Sequence, residues 1–121
     1  MHKMERKTEI GLETVGDVTL FNIKGDFTAF TEPSINDAYK KANDQGSCKI
    51  LMQFNKDAYI NSGGISLLIQ ILAETKKNNQ QTGITGLSDH FKKIFKMVGI
   101  TKFAKIYNTM DDALKAMSGP S

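Results

Sequence analysis

One short segment, residues 59–64 with the sequence YINSGG, places a hydroxyl group where chemistry could occur. It lies between a predicted strand and a predicted apolar helix, so Ser62 would stand at the helix entrance. The N-terminus of a helix presents unpaired N–H groups and a partial positive charge, which stabilise a nearby anion by about 0.3–1 kcal/mol. A phosphate on Ser62 is therefore compatible with this pattern. A plainer hypothesis also fits, in which Ser62 only caps the helix and the glycines only form a tight loop.

The rest of the chain offers few residues that could catalyse a reaction. His90 stands beside Asp89, but Ile60 occupies the place of the first glycine in the Gly-x-Ser-x-Gly pattern of hydrolases. The residues after Ser62 lack the lysine that a phosphate-binding Walker loop needs. Cys48 is the one cysteine, and the sequence has no Cys/His cluster with zinc spacing. The sequence therefore predicts a protein that is not an enzyme, with no catalytic residues, no metal site and no other cofactor.

The composition is that of one globular domain. The chain has 121 residues, of which 40% are hydrophobic, and we predict a single domain over 1–121 with its core at about 9–117 and a short tail at 118–121. Sixteen Lys and Arg against thirteen Asp and Glu give a net charge of +3, which is too small and too dispersed to favour a nucleic-acid partner. The start of the chain is polar and no apolar run approaches the roughly 20 residues of a membrane span. These features predict a cytoplasmic protein without a membrane span.

The elements that position the candidate serine follow from the hydrophobic patterns. Strand-like runs occur at five places: residues 10–12, 18–23, 50–54, 84–87 and 105–107. Apolar stripes at helical spacing occur at four places: residues 33–43, 65–72, 91–98 and 110–117. The resulting order, β-β-α-β-α-β-α-β-α, predicts an α/β fold in which helices cover a sheet.

Particular residues are expected to begin or end these helices. The run Gln81-Thr82-Gly83 is predicted to close the second helix, whereas Ser88 and Thr109 are predicted to cap the third and fourth helices. Gly99 stands where a left-handed residue would end the third helix. The buried stripe of that helix is predicted to comprise Phe91, Ile94, Phe95 and Val98.

Several of these segments, taken together, resemble one known family. They are GDF at 25–27, the helix at 33–43, the strand at 50–55, INSGG at 60–64 and FKMVGI at 95–100. The chain resembles the STAS domain, in particular stand-alone anti-sigma factor antagonists, over about 9–117. The resemblance implies a mixed sheet of about five strands covered by about four helices. It also implies that Ser62 is phosphorylated by an anti-sigma factor serine kinase and restored by a PPM-type phosphatase, and that only the unphosphorylated form binds the anti-sigma factor.

The resemblance further implies which residues contact the partner: Asp26, Thr28, Tyr59, Asn61, Ser62, Gly63 and Gly64. For Asp26 a solvated turn aspartate is an equally simple interpretation. The chain departs from the family pattern in this loop, since Asn61 replaces the usual aspartate and Gly63 replaces a second hydroxyl residue. The chain could also form a homodimer, and this possibility stays open.

Two alternative functions remain beside the phosphorylation switch. One is a phosphorylation-independent STAS scaffold or sensor-complex subunit, and the other is a small module that binds an anion or nucleotide at the same helix end. A separate basic surface is formed by five lysines: Lys92, Lys93, Lys96, Lys102 and Lys105. Because they alternate with apolar positions, a solvated helix face is the simpler interpretation, and docking of an acidic partner is the other.

Overall fold

Five strands and four helices make up the structure, a computed structural model that describes residues 7–119. The strands are β1 Glu9–Val15, β2 Val18–Lys24, β3 Lys49–Gln53, β4 Gln81–Thr85 and β5 Lys105–Ile106. The helices are α1 Glu32–Asp44, α2 Ser62–Lys77, α3 Asp89–Met97 and α4 Met110–Met117. Two short 3-10 helices, Ala29–Thr31 and Ile100–Lys102, complete the chain. The predicted α/β class and the number of strands and helices are confirmed.

The sheet has the strand order β1-β2-β3-β4-β5, so each strand pairs with its neighbours in the sequence. The pair β1–β2 is antiparallel, and the other three pairs are parallel, which confirms a mixed sheet. Gly16 begins the two-residue turn of the hairpin with a φ of +62°, a conformation that glycine adopts without strain. Because β2, β3 and β4 run in one direction, the loops that follow them emerge at the same edge of the sheet.

The two faces of the sheet carry cores of different size. The larger core packs α1, α2 and α3 against one face and includes Phe27, Phe54, Leu68 and Phe95, all at most 2% exposed. The smaller core lies on the other face, where Ala113 and Met117 of α4 pack against Val18, Leu20, Leu51 and Tyr107. Side chains along β2 alternate between the two faces and contribute to both cores, as expected for a strand that is buried on both faces.

The predicted end of the second helix is wrong. Helix α2 ends at Lys77, and Asn79 then takes a left-handed φ of 57°, which asparagine tolerates better than most residues. The residues Gln81, Thr82 and Gly83 form the start of β4 instead of a helix terminus. Gly83 serves packing, since a Cβ there would lie 2.8 Å from Met117 Sδ and 2.9 Å from Tyr107 Cε2.

Helix α3 has the predicted cap and C-terminal glycine but a shorter buried stripe. Ser88 accepts a hydrogen bond from Phe91 N, and Gly99 has a φ of +82°. Phe95 is buried, but Val98 is 45% exposed, so its predicted burial is wrong. The helix ends at Met97, and Ile100 of the following 3-10 helix is the residue that is fully buried. Thr109 caps α4 as predicted, by accepting a hydrogen bond from Asp112 N.

The predicted domain boundaries extend beyond the residues that the structure describes. All the described strands belong to one sheet, but residues 1–6 and 120–121 lie outside the described range, so a single domain over 1–121 with a tail at 118–121 stays a prediction. Between residues 7 and 119 no helix has the length and apolar character needed to cross a membrane. Within the same range no three His, Cys, Asp or Glu side chains are grouped as a metal site would require.

Candidate functional site

The segment around Ser62 is held in place by a backbone bridge between two loops. Phe27, after β2, forms an isolated parallel bridge with Ile60, after β3. Phe27 N donates to Tyr59 O at 2.8 Å, and Asn61 N donates to Phe27 O at 3.3 Å. The ring of Phe27 is fully buried and meets the ring of Phe54 edge to face, with centroids 5.6 Å apart. The core therefore fixes the first of the two loops, and the bridge fixes the second against it.

Asn61, and not Ser62, caps helix α2. Its backbone is extended, with φ −92° and ψ 178°, and its side-chain Oδ1 accepts a hydrogen bond from Gly64 N at 2.8 Å. Ser62 is the first residue of the helix and is exposed. Within the described residues the Ser62 hydroxyl makes no hydrogen bond. The hypothesis that Ser62 serves only as the cap is therefore wrong, and its hydroxyl stands free at the positive end of a 16-residue helix.

The two glycines after Ser62 are required to different degrees by the packing of the helix end. A Cβ at Gly64 would lie 2.1 Å from Phe27 O and 2.7 Å from Phe27 C, both backbone atoms. A Cβ at Gly63 would lie 3.1 Å from the Cβ of Ala29, which is close but less severe. The first turn of α2 therefore packs directly on the segment 27–29, and Gly64 allows that close approach.

Asp26 and Thr28 have buried side chains that bond within the chain. Asp26 is 6% exposed, and its Oδ1 accepts a hydrogen bond from Tyr59 N at 3.3 Å. Thr28 is 3% exposed and caps the first 3-10 helix by accepting from Phe30 N at 3.1 Å. A solvated turn aspartate is therefore the wrong interpretation of Asp26. Contact of Asp26, Thr28, Tyr59, Asn61, Ser62, Gly63 and Gly64 with a partner stays a prediction.

Two residues near the site were missed by the sequence reasoning. Phe30 is 86% exposed and follows Ala29, which packs against the start of α2. Thr8, which precedes β1, is buried, donates a short hydrogen bond to the carbonyl of Asp26 and shares a 2.7 Å hydrogen bond with Thr31. Phe30 stands in a segment that begins with a capping threonine, and this pattern indicates only weakly that an aromatic side chain is exposed. The contacts of Thr8 span 18 and 23 residues, and no local pattern announces them.

The site lacks the arrangement of a serine hydrolase. His90 is exposed, and its ring packs edge to face with Phe91 at a centroid distance of 5.1 Å. Within residues 7–119 no hydrogen bond joins Ser62 to His90. The structure therefore does not assemble Ser62, His90 and Asp89 into a catalytic triad.

Comparison with known proteins assigns the family. A family model for the STAS domain matches residues 9–113. This range covers most of the chain, which therefore belongs to the STAS domain family. Its relatives within that family include anti-sigma factor antagonists. One is an anti-sigma-B factor antagonist of Staphylococcus aureus, which is 22% identical over 93 residues that cover 75% of this chain and 86% of the relative.

Solved structures agree with this fold. An anti-sigma factor antagonist from Mycobacterium paratuberculosis superimposes with a TM-score of 0.75 at 18% identity, over 92% of this chain and 94% of the other. The Bacillus cell fate determinant SpoIIAA in its phosphorylated form superimposes with a TM-score of 0.65 at 18% identity, over 90% and 99% of the two chains. At these identities the structural likeness establishes the fold.

The cap at Asn61 gives the first testable prediction. Asn61→Ala is expected to lower the free energy of unfolding by about 1 kcal/mol, because Gly64 N–H loses its acceptor. Asn61→Asp keeps an acceptor and places a negative charge at the helix N-terminus, so it is expected to match or exceed the wild type. Urea unfolding of the three proteins measures this. Equal stability of the wild type and Asn61→Ala would show that the hydrogen bond does not stabilise the helix.

Proposed function

We propose that the chain is an anti-sigma factor antagonist whose binding is switched by phosphorylation of Ser62. In its unphosphorylated form it binds an anti-sigma factor serine kinase, and a PPM-type phosphatase restores that form after phosphorylation. The chain is then a substrate and a docking partner, not an enzyme, and it acts in the bacterial cytoplasm. The family, its named relatives and the existence of SpoIIAA in a phosphorylated and an unphosphorylated form support this proposal.

The observation that carries the proposal is the exposed Ser62 hydroxyl at the first position of α2. A kinase must reach its acceptor, and Ser62 is exposed and makes no hydrogen bond within residues 7–119. Because Asn61 provides the helix cap, modification of Ser62 leaves the cap in place. The unpaired N–H groups of the helix end also favour a nearby phosphate. The fold can therefore carry the phosphate at little cost.

The same phosphate would prevent binding. A phosphoserine adds about −1.5 to −2 charges. If the partner presents no arginine opposite to the phosphate, docking must remove water from this charge or bring it close to like charges. A penalty of ~3–4 kcal/mol corresponds to a loss of affinity of a few hundredfold. Asn61 is neutral where the family has an aspartate, which lessens repulsion of a phosphate at the neighbouring residue.

Two exposed aromatic residues on the loops around the serine complete the proposed docking surface. Phe30 is 86% exposed and Tyr59 is 52% exposed. Tyr59 precedes Ser62 by three residues, and Phe30 follows Ala29, whose Cβ faces Gly63. Large aromatic residues at the centre of an interface supply much of its binding energy. A phosphate on Ser62 would then lie within the proposed interface.

Phe30→Ala is expected to weaken binding to the kinase partner by about 30-fold, the effect of losing an aromatic hot spot. The melting temperature is expected to stay close to that of the wild type, because a side chain that is 86% exposed contributes little to folding. Met97→Ala is the matched control, since Met97 is 83% exposed but lies at the C-terminal end of α3. Titration calorimetry measures both, and equal affinities of the two variants would place the interface elsewhere.

Phosphorylation itself is tested by incubating the chain with ATP and candidate anti-sigma factor kinases from the same genome. We expect mass spectrometry to find a single phosphate on Ser62 and none on Ser62→Ala. A phosphate on another residue, or an equal yield with the alanine variant, would contradict the proposed switch. Binding to a kinase without any phosphorylation would instead support a phosphorylation-independent STAS scaffold, and size-exclusion mass would then identify a sensor complex.

A further inference from the structure

A groove opens at the end of the sheet opposite to Ser62. Strand β4 begins at Gln81, but β5 pairs with it only at Gly83 and Ile84, so the start of β4 lacks a neighbour on that side. The segment from the second 3-10 helix to β5 passes across the gap and leaves a cavity of about 490 Å³. Ser62 follows the opposite, C-terminal end of the parallel strand β3, so the groove and the proposed switch are separate sites.

The groove has a positive rim. Lys96, Lys102 and Lys105 all line it and are all exposed. The Nζ of Lys105, however, lies 5.7 Å from the ring centroid of Tyr107, a residue of the smaller core on the other face of the sheet. The Nζ of Lys76 adds a further positive charge 5.7 Å from the ring centroid of Phe103, which forms part of the wall. Within residues 7–119 these four lysines take part in no salt bridge. Their charges are therefore not neutralised by the described part of the chain, and the groove attracts anions.

One residue that lines the groove carries a buried hydroxyl without a hydrogen-bond partner. Thr82 is 5% exposed and lines the groove, and its Oγ1 is the one buried side-chain oxygen or nitrogen of the described residues that lacks a partner. Leaving such a group unpaired costs about 1–3 kcal/mol. An acceptor oxygen that came within hydrogen-bond distance of Thr82 Oγ1 would remove this cost by accepting a hydrogen bond from it.

We propose that this groove binds a small molecule that carries a phosphate group. The phosphate oxygens accept hydrogen bonds from Lys96, Lys102 and Thr82, and Phe103 and Ile106 provide apolar contacts for the rest of the ligand. Lysine is a common partner of phosphate because its ammonium group donates from a flexible stem. Ligand binding here does not depend on whether Ser62 is phosphorylated.

The test is a titration of the isotope-labelled chain, followed by amide chemical shifts at constant ionic strength. Inorganic phosphate and glycerol 3-phosphate are the two probes, with glycerol and sodium chloride as controls. We expect saturable shifts centred on Thr82 and residues 102–105 with one or both phosphates and none with the controls. Tighter binding of the ester identifies a phosphorylated metabolite as the ligand class, and equal binding identifies free phosphate. Shifts that do not saturate, or that sodium chloride reproduces, would overturn the proposal.

Two sets of variants locate the site. The double variant Lys96→Gln/Lys102→Gln is expected to weaken phosphate binding by about tenfold or more, since it removes two charged donors. Lys115→Gln, an exposed change on α4 across the sheet, is the control and should bind as the wild type does. Thr82→Val should weaken phosphate binding while raising the melting temperature of the free protein, because it removes an unpaired buried hydroxyl. Unchanged phosphate affinity in both groove variants would contradict the assignment.

Discussion

Ser62→Asp is expected to weaken binding to the anti-sigma factor kinase by about a hundredfold. The reason is that Ser62 is exposed on the proposed docking surface, so a permanent negative charge there must be desolvated when the partner docks. The fold should not suffer, since the new carboxylate lies at the N-terminus of α2, where the helix dipole favours it. Titration calorimetry with the kinase measures the affinity, and thermal unfolding monitors the fold.

Two further variants separate the position of the charge from its mere presence. Ser62→Ala should bind about as tightly as the wild type and should stay bound when ATP is added. Gln70→Glu makes the charge of α2 more negative by one unit at an exposed site two turns further along the helix, and it should change the affinity by less than about threefold. If Gln70→Glu weakened binding as strongly as Ser62→Asp, the effect would be general repulsion and not a switch at Ser62.

Gly64→Ala is expected to lower the free energy of unfolding by about 3–5 kcal/mol. The added Cβ would lie 2.1 Å from the carbonyl oxygen of Phe27, which belongs to the bridge between the two site loops. Backbone atoms cannot rotate away as a side chain can, so the start of α2 must separate from the segment 27–29. Urea unfolding measures the loss, and amide shifts of Phe27 and Ile60 should show that the bridge is disturbed.

Gly63→Ala is the matched control for this prediction. Its Cβ would meet the Cβ of Ala29 at 3.1 Å, and the better helix propensity of alanine offsets part of that crowding, so we expect a change of about 1 kcal/mol or less. The two variants make the same chemical change at adjacent residues. Equal loss of stability in both would show that the close approach to Phe27 is not what requires glycine at residue 64.

The parts of the fold that the sequence predicts correctly depend on contacts between near neighbours. The apolar stripe of α1, the cap residues Ser88 and Thr109 and the left-handed Gly99 all act within one or two helical turns. Such local signals are readable because the hydrogen bond or the apolar face involves residues three or four positions apart. The alternation of these elements was enough to predict the α/β class.

The two predictions that fail do so for different reasons. Gly83 resembles a helix terminus in sequence, but it lies in a strand because Met117 and Tyr107 occupy the space that a side chain would need. Val98 fits the helical stripe, but the chain turns at Gly99, and Ile100 is buried in place of Val98. For Gly83 distant parts of the chain decide how the residue is used, and the local pattern carries no information about them. For Val98 the helix ends one residue earlier, at Met97, so the buried stripe does not extend to it.

At the candidate site the sequence identified the segment but not the role of each residue. It placed Ser62 at the start of a helix, as the structure does, but it could not show that Asn61 forms the cap and leaves the Ser62 hydroxyl free. Asparagine and serine are almost equally good caps, so propensity does not choose between neighbours. The register is set by the bridge between Phe27 and Ile60, which joins residues 33 positions apart.

The central claim is that one phosphate on Ser62 controls binding, and the affinity of a single preparation before and after phosphorylation tests it most directly. The chain is phosphorylated by its kinase, purified, titrated with the kinase in the presence of ADP, treated with a PPM-type phosphatase and titrated again. The account predicts a loss of affinity of about a hundredfold or more on phosphorylation and full recovery after the phosphate is removed. Equal affinities of the phosphorylated and unphosphorylated chain would contradict it.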